Sequence, residues 1–185
     1  MKVVETSLPG VLILEPQVFG DARGFFYESY NRAAFKKAGI AAELIQSNVS
    51  RSARGVLRGL HYQWPNPQAK LISVLDGEVY DVAVDIRRGS PSFGQHAAAM
   101  LTAANHRHLW IPEGFAHGFC VVSDFATFTY QCTALYDHAA DAGIRWNDAA
   151  LGIDWPVSEP VLSDKDRASP FLHEVAAERL PVFMP

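Results

Sequence analysis

The sequence has few cysteines, no long apolar run and no excess of positive charge, and each absence excludes a class of protein. Cys120 and Cys132 are the only cysteines in 185 residues, and no zinc-type spacing joins them, so we expect two reduced core residues. No apolar stretch approaches the roughly 20 residues that span a bilayer. The N-terminal MKVVETSLPG has neither a long apolar segment nor a cleavage site. We therefore expect a soluble, cytoplasmic protein without a membrane partner.

The charge balance argues against a general nucleic-acid binder. The formal net charge is -4, whereas a surface that follows phosphates normally carries a basic excess. Any anionic ligand must therefore be bound by a local cluster of cations. Arg51, Arg54 and Arg58 form the densest cluster, although a solvated strand edge would explain two of the three equally well.

Short apolar segments separated by Gly, Pro, Asn or Asp recur along the chain and predict strands. Their spacing is typical of a sandwich or barrel. In EVYDVAVDI, apolar and other residues alternate, which predicts one buried face. Asp76-Gly77 predicts a two-residue hairpin turn before this strand. The predicted strands are VLILEP, GFFYESY, LIQSNVS, VLRGLHYQ, KLISVL, EVYDVAVDI, HLWIP, HGFCVV and FATFTYQC.

Helical signals are scarce. NRAAFKK has Asn31 as a candidate N-cap and Gly39 just beyond its end, and FLHEVAAERL could form a second helix near the C-terminus. No repeat, low-complexity tract or linker divides the sequence. We therefore expect one all-β domain over residues 1–185 with small helical additions.

Polar residues interrupt the apolar segment VLRGLHYQ, where His61 and Gln63 lie two residues apart and so project from the same face. Lys70 follows, seven residues before the turn glycine Gly77. This order resembles the first motif of the cupin superfamily, small jelly-roll β-barrels in which H-x-H and a glutamate seven residues before a glycine hold a metal. Here Gln63 and Lys70 occupy two of the ligand positions.

The segment PEGFAHGF, residues 112–119, resembles the second cupin motif, P-x-G-x-x-H, with His117 at the last ligand position. Val121 stands where that motif ends in asparagine. A lysine is a permanent donor near neutral pH unless it is strongly desolvated, and it repels a divalent cation. We therefore expect neither a metal nor another cofactor.

An imidazole, an amide and an ammonium group at the mouth of a barrel suit a reaction in which negative charge develops on oxygen without a metal. Removal of a proton α to a carbonyl is such a reaction. The alternative is a core histidine with satisfied hydrogen bonds beside a lysine whose charged end reaches solvent. The joint spacing of His61, Gln63 and Lys70 favours the chemical interpretation.

Two further clusters of polar residues have simpler explanations. VLSDKDRASP contains Asp164 and Asp166 without a strand pattern, which alone indicates a solvated turn. A carboxylate folded back onto His61 would orient its ring and raise its basicity, but spacing cannot establish that contact. HRHLWIPE places His106 and His108 before an acidic residue, and we expect two exposed histidines at a strand start rather than a metal site.

Several long segments resemble the dTDP-4-dehydrorhamnose 3,5-epimerases, cofactor-independent enzymes of deoxysugar biosynthesis. The resemblance covers almost the whole chain. It implies a cupin-type jelly-roll barrel, a thymidine diphosphate 4-keto-6-deoxyhexose as substrate, and inversion at C3 and C5, whose protons the C4 ketone acidifies. The segments are LEPQVFGDARGFFYESYN, VLRGLHYQ, GEVYDVAVDIRRGSPSFG, LWIPEGFAHGF, FTYQCTALY, and IDWP followed by SDKD.

The same resemblance implies roles for individual residues. His61 lies where the family has its base, Asp166 where the paired carboxylate lies, Tyr130 where the acid for the opposite sugar face lies, and Lys70 where the enolate oxygen is stabilised. The motif spacing described above independently predicts the same role for Lys70. The family positions that contact substrate correspond to Arg23, Glu28, Gln46, Asn48, Arg58, His117, Tyr136, Asp141 and Lys165.

Among these residues, the resemblance implies that Tyr136 stacks on thymine, while Asp141 stands where a longer acidic side chain is expected. In an ideal strand Arg58 would point away from His61, so we expect a bulge at Gly59 or an arginine that reaches past the strand edge. Family members are homodimers that share N-terminal strands. This leaves open whether Arg23 and Glu28 serve their own chain's site or the partner's.

Three alternatives to a 3,5-epimerase remain open from the sequence. The first is an epimerase that inverts only one of the two carbons. The second is a metal-dependent cupin oxygenase or isomerase that uses His61, His106, His108 or His117. The third is a non-catalytic sugar-nucleotide binder, against which the retained acid, base and carboxylate argue.

Overall fold

The protein, represented by a computed structural model that describes residues 1–184, is built mainly from thirteen antiparallel strands. Its two α-helices are short, and three single 3-10 turns, Ala149–Leu151, Leu172–Glu174 and Ala177–Arg179, lie in the C-terminal part. The helices are α1 (Arg32–Lys37) and α2 (Asp164–Ala168). The strands are β1 (Lys2–Glu5), β2 (Leu12–Glu15), β3 (Val18–Asp21), β4 (Gly24–Tyr27), β5 (Gln46–Ala53), β6 (Leu57–Gln63), β7 (Lys70–Asp76), β8 (Glu78–Asp85), β9 (His96–Thr102), β10 (His108–Ile111), β11 (Phe115–Val121), β12 (Phe125–Cys132) and β13 (Asp141–Gly143).

Two sheets form the barrel. One has the strand order β1-β2-β10-β7-β12-β5, the other has the order β13-β6-β11-β8-β9, and β3 and β4 form a separate ribbon. Apolar side chains from both sheets, including Ile72, Phe128 and Phe119, pack into one buried cluster. The arrangement confirms the predicted all-β jelly-roll barrel, and its site lies where the two sheets face each other.

All nine predicted strands are present. Four strands were not predicted: β1, β3, β9 and β13. Strand β9 has the sequence HAAAMLT, and alanine has a low strand propensity, so its pairing with β8 decides its conformation.

The hairpin predicted at Asp76-Gly77 is wrong. Strand β7 pairs with β10 and β12, whereas β8 pairs with β9 and β11, so this turn carries the chain from one sheet to the other. Gly77 has a φ of +79°, and a Cβ there would lie 2.0 Å from the carbonyl oxygen of Phe125. The glycine therefore permits a tight corner between sheets rather than a hairpin.

Strand β8 is buried on both faces, so the prediction of a single buried face is also wrong. Val79 and Ala83 pack between the sheets, while Val82 and Val84 pack against a second cluster that contains Trp155, Leu172 and Leu180 of the C-terminal part. The C-terminal part covers the outer face that the sequence pattern assigned to solvent. The two aspartates of the strand, at positions 81 and 85, lie on the same face as Val79 and Ala83 and are fully buried.

Helix α1 forms as predicted, but the second predicted helix does not. Asn31 Oδ1 accepts hydrogen bonds from the backbone N–H groups of Ala33 (3.0 Å) and Ala34 (3.2 Å), which satisfies donors at the helix start. The segment FLHEVAAERL forms two separate 3-10 turns instead of an α-helix. Leu172 and Leu180 are buried there against the five-stranded sheet, and this docking determines the path of the segment.

The expected bulge at Gly59 is present. Residues Arg58 and His61 are three apart on β6, but they pair with Phe119 and His117, which are two apart on β11. Strand β6 therefore carries one extra residue at this point. Gly59 has a φ of +123°, and a Cβ there would lie 2.5 Å from Gly118 Cα.

The substitution Gly59→Ala is expected to lower the free energy of unfolding by about 2–5 kcal/mol, because it adds backbone strain and an overlap with backbone atoms. Gly39→Ala is the matched control, since Gly39 also has a positive φ of +86°, but none of the other described residues has an atom within 4 Å of the added Cβ. Urea unfolding of both variants measures the difference. An equal loss of stability in the two variants would contradict the close approach of β6 and β11.

Candidate functional site

A cavity lies between the facing sheets and contains the residues predicted to carry the chemistry. It has two adjoining parts of about 200 and 190 Å³, and His61, Lys70 and Tyr130 line both. His61 comes from β6 in the five-stranded sheet, whereas Lys70 and Tyr130 come from β7 and β12 in the six-stranded sheet. The three groups therefore meet from opposite walls of the barrel.

A histidine–carboxylate pair forms one wall of the cavity. His61 Nε2 forms a hydrogen bond with Asp166 Oδ1, although 105 residues separate the two. The side chain of Asp166 is only 3% exposed, whereas that of His61 is 33% exposed and faces the cavity. Burial tends to raise the pKa of Asp166, but hydrogen bonds from His61 and Ser163 outweigh this effect and lower the pKa. Asp166 is therefore an ionised partner for the imidazole.

Lys70 is partly buried and points into both parts of the cavity. Among residues 1–184, no side chain forms a salt bridge with its ammonium group. Burial lowers its pKa, and electrostatic interactions with Cys132 and Asp81 oppose that shift. The ammonium group is thus free to interact with an oxygen atom of a ligand.

Tyr130 lies beside Lys70 on the neighbouring strand. Burial raises the pKa of its phenol, and the nearby Cys132 raises it further. The hydroxyl group therefore keeps its proton at neutral pH. A neutral phenol in a cavity wall can donate a proton to a ligand.

The floor of the second part holds a buried pair that sequence analysis missed in part. His117 Nε2 donates to the carboxylate of Asp81 at 3.0 and 3.1 Å, and Asp81 has no exposed surface. Burial lowers the pKa of His117, and the contact with Asp81 opposes the shift. The available signal for Asp81 was an acidic residue between the apolar neighbours Tyr80 and Val82, where a buried charge requires a partner.

Of the three clustered arginines, only Arg58 lines the cavity. Its Nε and Nη2 donate to Ser52 Oγ at 3.2 and 3.1 Å, and within residues 1–184 its other guanidinium donors are free. Arg51 and Arg54 form exposed ion pairs with Asp76 and Asp124 instead. The solvated-edge explanation is thus correct for these two residues.

Several predicted binding residues meet at the open side of the first part of the cavity. The backbone N–H of Tyr136 donates to Gln46 Oε1 at 2.7 Å, and Tyr136 Oη donates to Asp141 Oδ2 at 2.8 Å. Lys165 Nζ donates to the same Asp141 oxygen. Gln46 Nε2 in turn donates to Asn48 Oδ1 at 3.1 Å. The ring of Tyr136 remains about half exposed and available for stacking.

Gln63 lines the cavity, but the hydrogen bonds of its side chain mainly hold a loop in place. Its buried amide bonds the carbonyl oxygen of Leu135 at 3.2 Å and the backbone N–H of Asp137 at 2.9 Å. These bonds attach the loop that follows β12 to the end of β6. Its position therefore fixes the loop that carries Tyr136.

The structure does not bring Arg23 and Glu28 into this chain's cavity. Arg23 lies in the turn between β3 and β4, pairs with Asp21, and has a side chain that is 90% exposed. Glu28 is exposed just after β4. Arg23 thus lies on the ribbon and Glu28 directly follows it, while Phe25 and Tyr27 of the ribbon contact His106 and His108 at the start of β10.

His108 is buried, so the expectation of two exposed histidines at this strand start is wrong. Its Nδ1 bonds Ser73 Oγ, while Nε2 has no hydrogen-bond partner within residues 1–184. Burial lowers the pKa of His108 to about 4, and the nearby His106 contributes. Across the described part of the chain, no group of three or more His, Cys, Asp or Glu side chains is placed to hold a metal ion.

Comparison with known proteins agrees with this geometry. The profile of the dTDP-4-dehydrorhamnose 3,5-epimerase family matches residues 5–174. A dTDP-4-dehydrorhamnose 3,5-epimerase of Shigella flexneri is 55% identical over 168 residues, which are 90% of this chain and 93% of the relative. The chain belongs to the dTDP-4-dehydrorhamnose 3,5-epimerase family.

Solved structures extend the comparison. A dTDP-6-deoxy-D-glucose-3,5-epimerase from Legionella pneumophila in complex with dTDP-4-keto-L-rhamnose superposes with a TM-score of 0.97 at 48% identity and covers 100% of this chain and 99% of its own. A 3'-monoepimerase from Streptomyces bikiniensis, in complex with dTDP-quinovose, has a TM-score of 0.87 and 36% identity, and the match covers 95% of this chain and 91% of that one. The fold therefore accommodates both double and single epimerisation.

Within residues 1–184, none of the helices has the length and apolar character needed to span a membrane.

Proposed function

We propose that this chain inverts C3 and C5 of dTDP-4-dehydro-6-deoxy-D-glucose to give dTDP-4-dehydro-L-rhamnose, with neither a metal nor an organic cofactor. One observation carries the proposal: an imidazole, an ammonium group and a phenol line the same cavity from opposite walls. The family to which the chain belongs is named for this activity, and so is the Shigella flexneri relative. A metal-dependent cupin reaction is not favoured by these relatives.

His61 acts as the general base in this proposal. The carboxylate of Asp166 accepts the hydrogen bond of its ring, which fixes the orientation and stabilises the imidazolium that forms after proton removal. The C4 ketone acidifies the protons at C3 and C5. His61 removes each proton in turn from the face of the sugar that it contacts.

Lys70 stabilises the product of that proton removal. Negative charge moves from the carbon to the C4 oxygen as the enolate forms, and a charged donor fixed in a partly dry cavity interacts strongly with this oxygen. The lack of a salt bridge to Lys70 within residues 1–184 supports this role, because a paired ammonium would first have to be released.

Tyr130 supplies the proton that completes each inversion, and between the two inversions the imidazolium of His61 releases its proton to solvent while the Tyr130 phenolate regains one. It lies on the six-stranded sheet, opposite His61 on the five-stranded sheet. A sugar ring held between the walls would lose a proton to one side and gain one from the other, which inverts the carbon. The raised pKa of Tyr130 keeps the phenol protonated for this step.

The nucleotide occupies the remaining polar surface in the proposal. The free donors of Arg58, with His117 and Lys165 nearby, suit the diphosphate oxygens, since guanidinium groups bind such oxygens in bidentate fashion. Tyr136 stacks on thymine, and Gln46 and Asn48 provide amides for its edge. Asp141 holds Tyr136 and Lys165 in place.

We further propose a cytoplasmic homodimer in which the ribbon of β3 and β4 joins the partner's sheet and delivers Arg23 and Glu28 to the partner's site. Three exposed phenylalanines on the ribbon, Phe19, Phe25 and Phe26, support this arrangement, because they are 56–68% exposed in the isolated chain. Sedimentation velocity tests the homodimer, because it gives the mass of the protein in solution.

Solvent deuterium exchange tests the reaction directly. The protein is incubated with the 4-keto sugar nucleotide in deuterated water, and the product is analysed by NMR. Deuterium at both C3 and C5 is the expected result. Deuterium at C3 alone would assign the chain to single-carbon epimerisation, and an unlabelled sugar would refute the proposed function. Elemental analysis of the same sample tests for iron, zinc or manganese.

Tyr130→Phe and Arg58→Ala should affect different kinetic constants. The first substitution removes a proton donor, so we expect kcat to fall by about 10²- to 10⁴-fold with little change in nucleotide affinity. The second removes a phosphate contact, so KM and the Kd for dTDP should rise while kcat changes less. Steady-state kinetics and calorimetry separate the two effects. The reverse pattern would mean that these roles are assigned to the wrong residues.

A further inference from the structure

Ser163 contacts Asp166 twice, through a single hydroxyl group. Its Oγ donates to Asp166 Oδ2 at 2.8 Å and accepts from the backbone N–H of Asp166 at 3.1 Å. Asp166 Oδ1 bonds His61, so the serine occupies the other carboxylate oxygen. The sequence pattern gave no reason to connect Ser163 with the base.

We propose that Ser163 is a positioning residue for the His61–Asp166 pair, and this inference rests on the proposed function. A carboxylate with one oxygen unbound can rotate about its last bond, which changes the distance and angle to the imidazole. The hydroxyl group of Ser163 prevents that rotation and adds a donor that favours the ionised form. It therefore acts on the reaction through Asp166, without contacting substrate.

The same hydroxyl also fixes the element that carries the carboxylate. Ser163 is the N-cap of α2, whose five residues are too few for a stable isolated helix. The N–H of Arg167 donates to the Ser163 carbonyl at 3.0 Å. Two residues before Ser163, the Val161 carbonyl accepts a hydrogen bond from the N–H of Leu57 at 3.1 Å. Because these backbone bonds remain when the side chain changes, the effect of the hydroxyl can be measured separately.

The bulge in β6 also acts on Asp166. The backbone N–H of Gly59 lowers the pKa of this carboxyl group, after His61 and Ser163. Loss of Ser163 Oγ would remove one of the contributions that favour the ionised form, so the pKa of Asp166 would rise. His61 and Asp166 share a hydrogen bond and titrate as a pair, so the pair would take up a proton more readily. The acid side of the activity profile should then move to higher pH.

Three substitutions separate the effect of the hydroxyl on the His61–Asp166 pair from its effect on helix capping. Ser163→Thr keeps both contacts. Ser163→Gly removes both contacts, but glycine is still an acceptable N-cap residue. Ser163→Ala also removes both contacts and places a poor N-cap residue before α2. Ser158→Ala is the control, because Ser158 is an exposed serine of the same C-terminal part.

The kinetic readouts are kcat, KM and the pH dependence of kcat/KM. We expect Ser163→Gly and Ser163→Ala to lower kcat about tenfold, with KM nearly unchanged and the acid limb moved to higher pH. Ser163→Thr should restore both values, and Ser158→Ala should match the wild type. Wild-type kcat and pH profile in Ser163→Gly would overturn the inference and leave Ser163 only as a helix cap. If Ser163→Ala does not fold, the glycine variant decides.

A spectroscopic readout separates this inference from the proposed function. The 15N chemical shifts of the His61 ring report its hydrogen bond with Asp166 whether or not the protein turns over the sugar nucleotide. Absence of deuterium exchange in the wild type would refute the epimerase, while a changed His61 shift in Ser163→Gly would still support the positioning role. If the 15N shifts of His61 were the same in Ser163→Gly and in the wild type at every pH, the positioning role alone would be refuted.

Discussion

Replacement of His61 by alanine is expected to lower kcat by about 10²- to 10⁴-fold, the range typical of a lost general base. The variant should bind dTDP with nearly wild-type affinity, because the imidazole acts in proton transfer rather than in nucleotide binding. Deuterium incorporation at C3 and C5 should fall by the same factor as turnover, since both depend on the same proton removal. Rapid-quench kinetics and NMR of the product measure the two quantities.

His173→Ala provides the matched control for this experiment. His173 is an exposed histidine of the C-terminal part and lies outside the cavity, where it stacks on Phe171. It should retain wild-type exchange. Wild-type activity in His61→Ala would show that another group is the base, and the pair with Asp166 would then be structural.

Replacement of Lys70 by methionine is expected to lower kcat by about 10²- to 10³-fold, because it removes the charged donor that stabilises the enolate oxygen. Methionine has a similar length and fills the same space without a charge. The isolated protein should be at least as stable as the wild type, since Lys70 has no salt bridge within residues 1–184 and its ammonium is partly buried. The expected combination is therefore reduced activity with retained thermal stability.

Thermal unfolding and turnover are measured together for Lys70→Met and for the control Lys37→Met. Lys37 lies exposed in the last turn of α1, so its substitution should change neither quantity appreciably. If Lys70→Met retained full turnover, the ammonium would have no part in stabilising charge on the substrate. If activity fell only in proportion to a loss of folded protein, its role would be structural.

Local sequence patterns were sufficient to predict most of the barrel strands. Period-two alternation and short apolar segments between turn residues identified nine strands, and Asn31 marked the start of α1. These signals depend only on neighbouring residues. Strand β9 escaped prediction because its alanines carry little strand preference, and pairing with β8 supplies the missing stabilisation.

The errors concern relations between distant segments. Asp76-Gly77 has the chemistry of a hairpin turn, yet the strands on either side pair in different sheets. His108 has the polarity of a surface residue, yet it is 1% exposed beside Ser73. In each case the decisive contact comes from a segment that is remote in sequence, so no local pattern could reveal it.

The sequence by itself determined the strand-rich chain, the chemical types available in its motifs, and a family resemblance that named His61, Lys70, Tyr130 and Asp166. Only the tertiary structure decided that Asp166 contacts His61 across 105 residues, and that Ser163 holds the other oxygen of this carboxylate. It also decided that Asp81 is buried beneath His117 and that Arg23 lies outside this cavity. The physical reason is that chain-distant contacts arise when two sheets and the C-terminal segment pack together, whereas spacing along a strand determines only which face a side chain occupies.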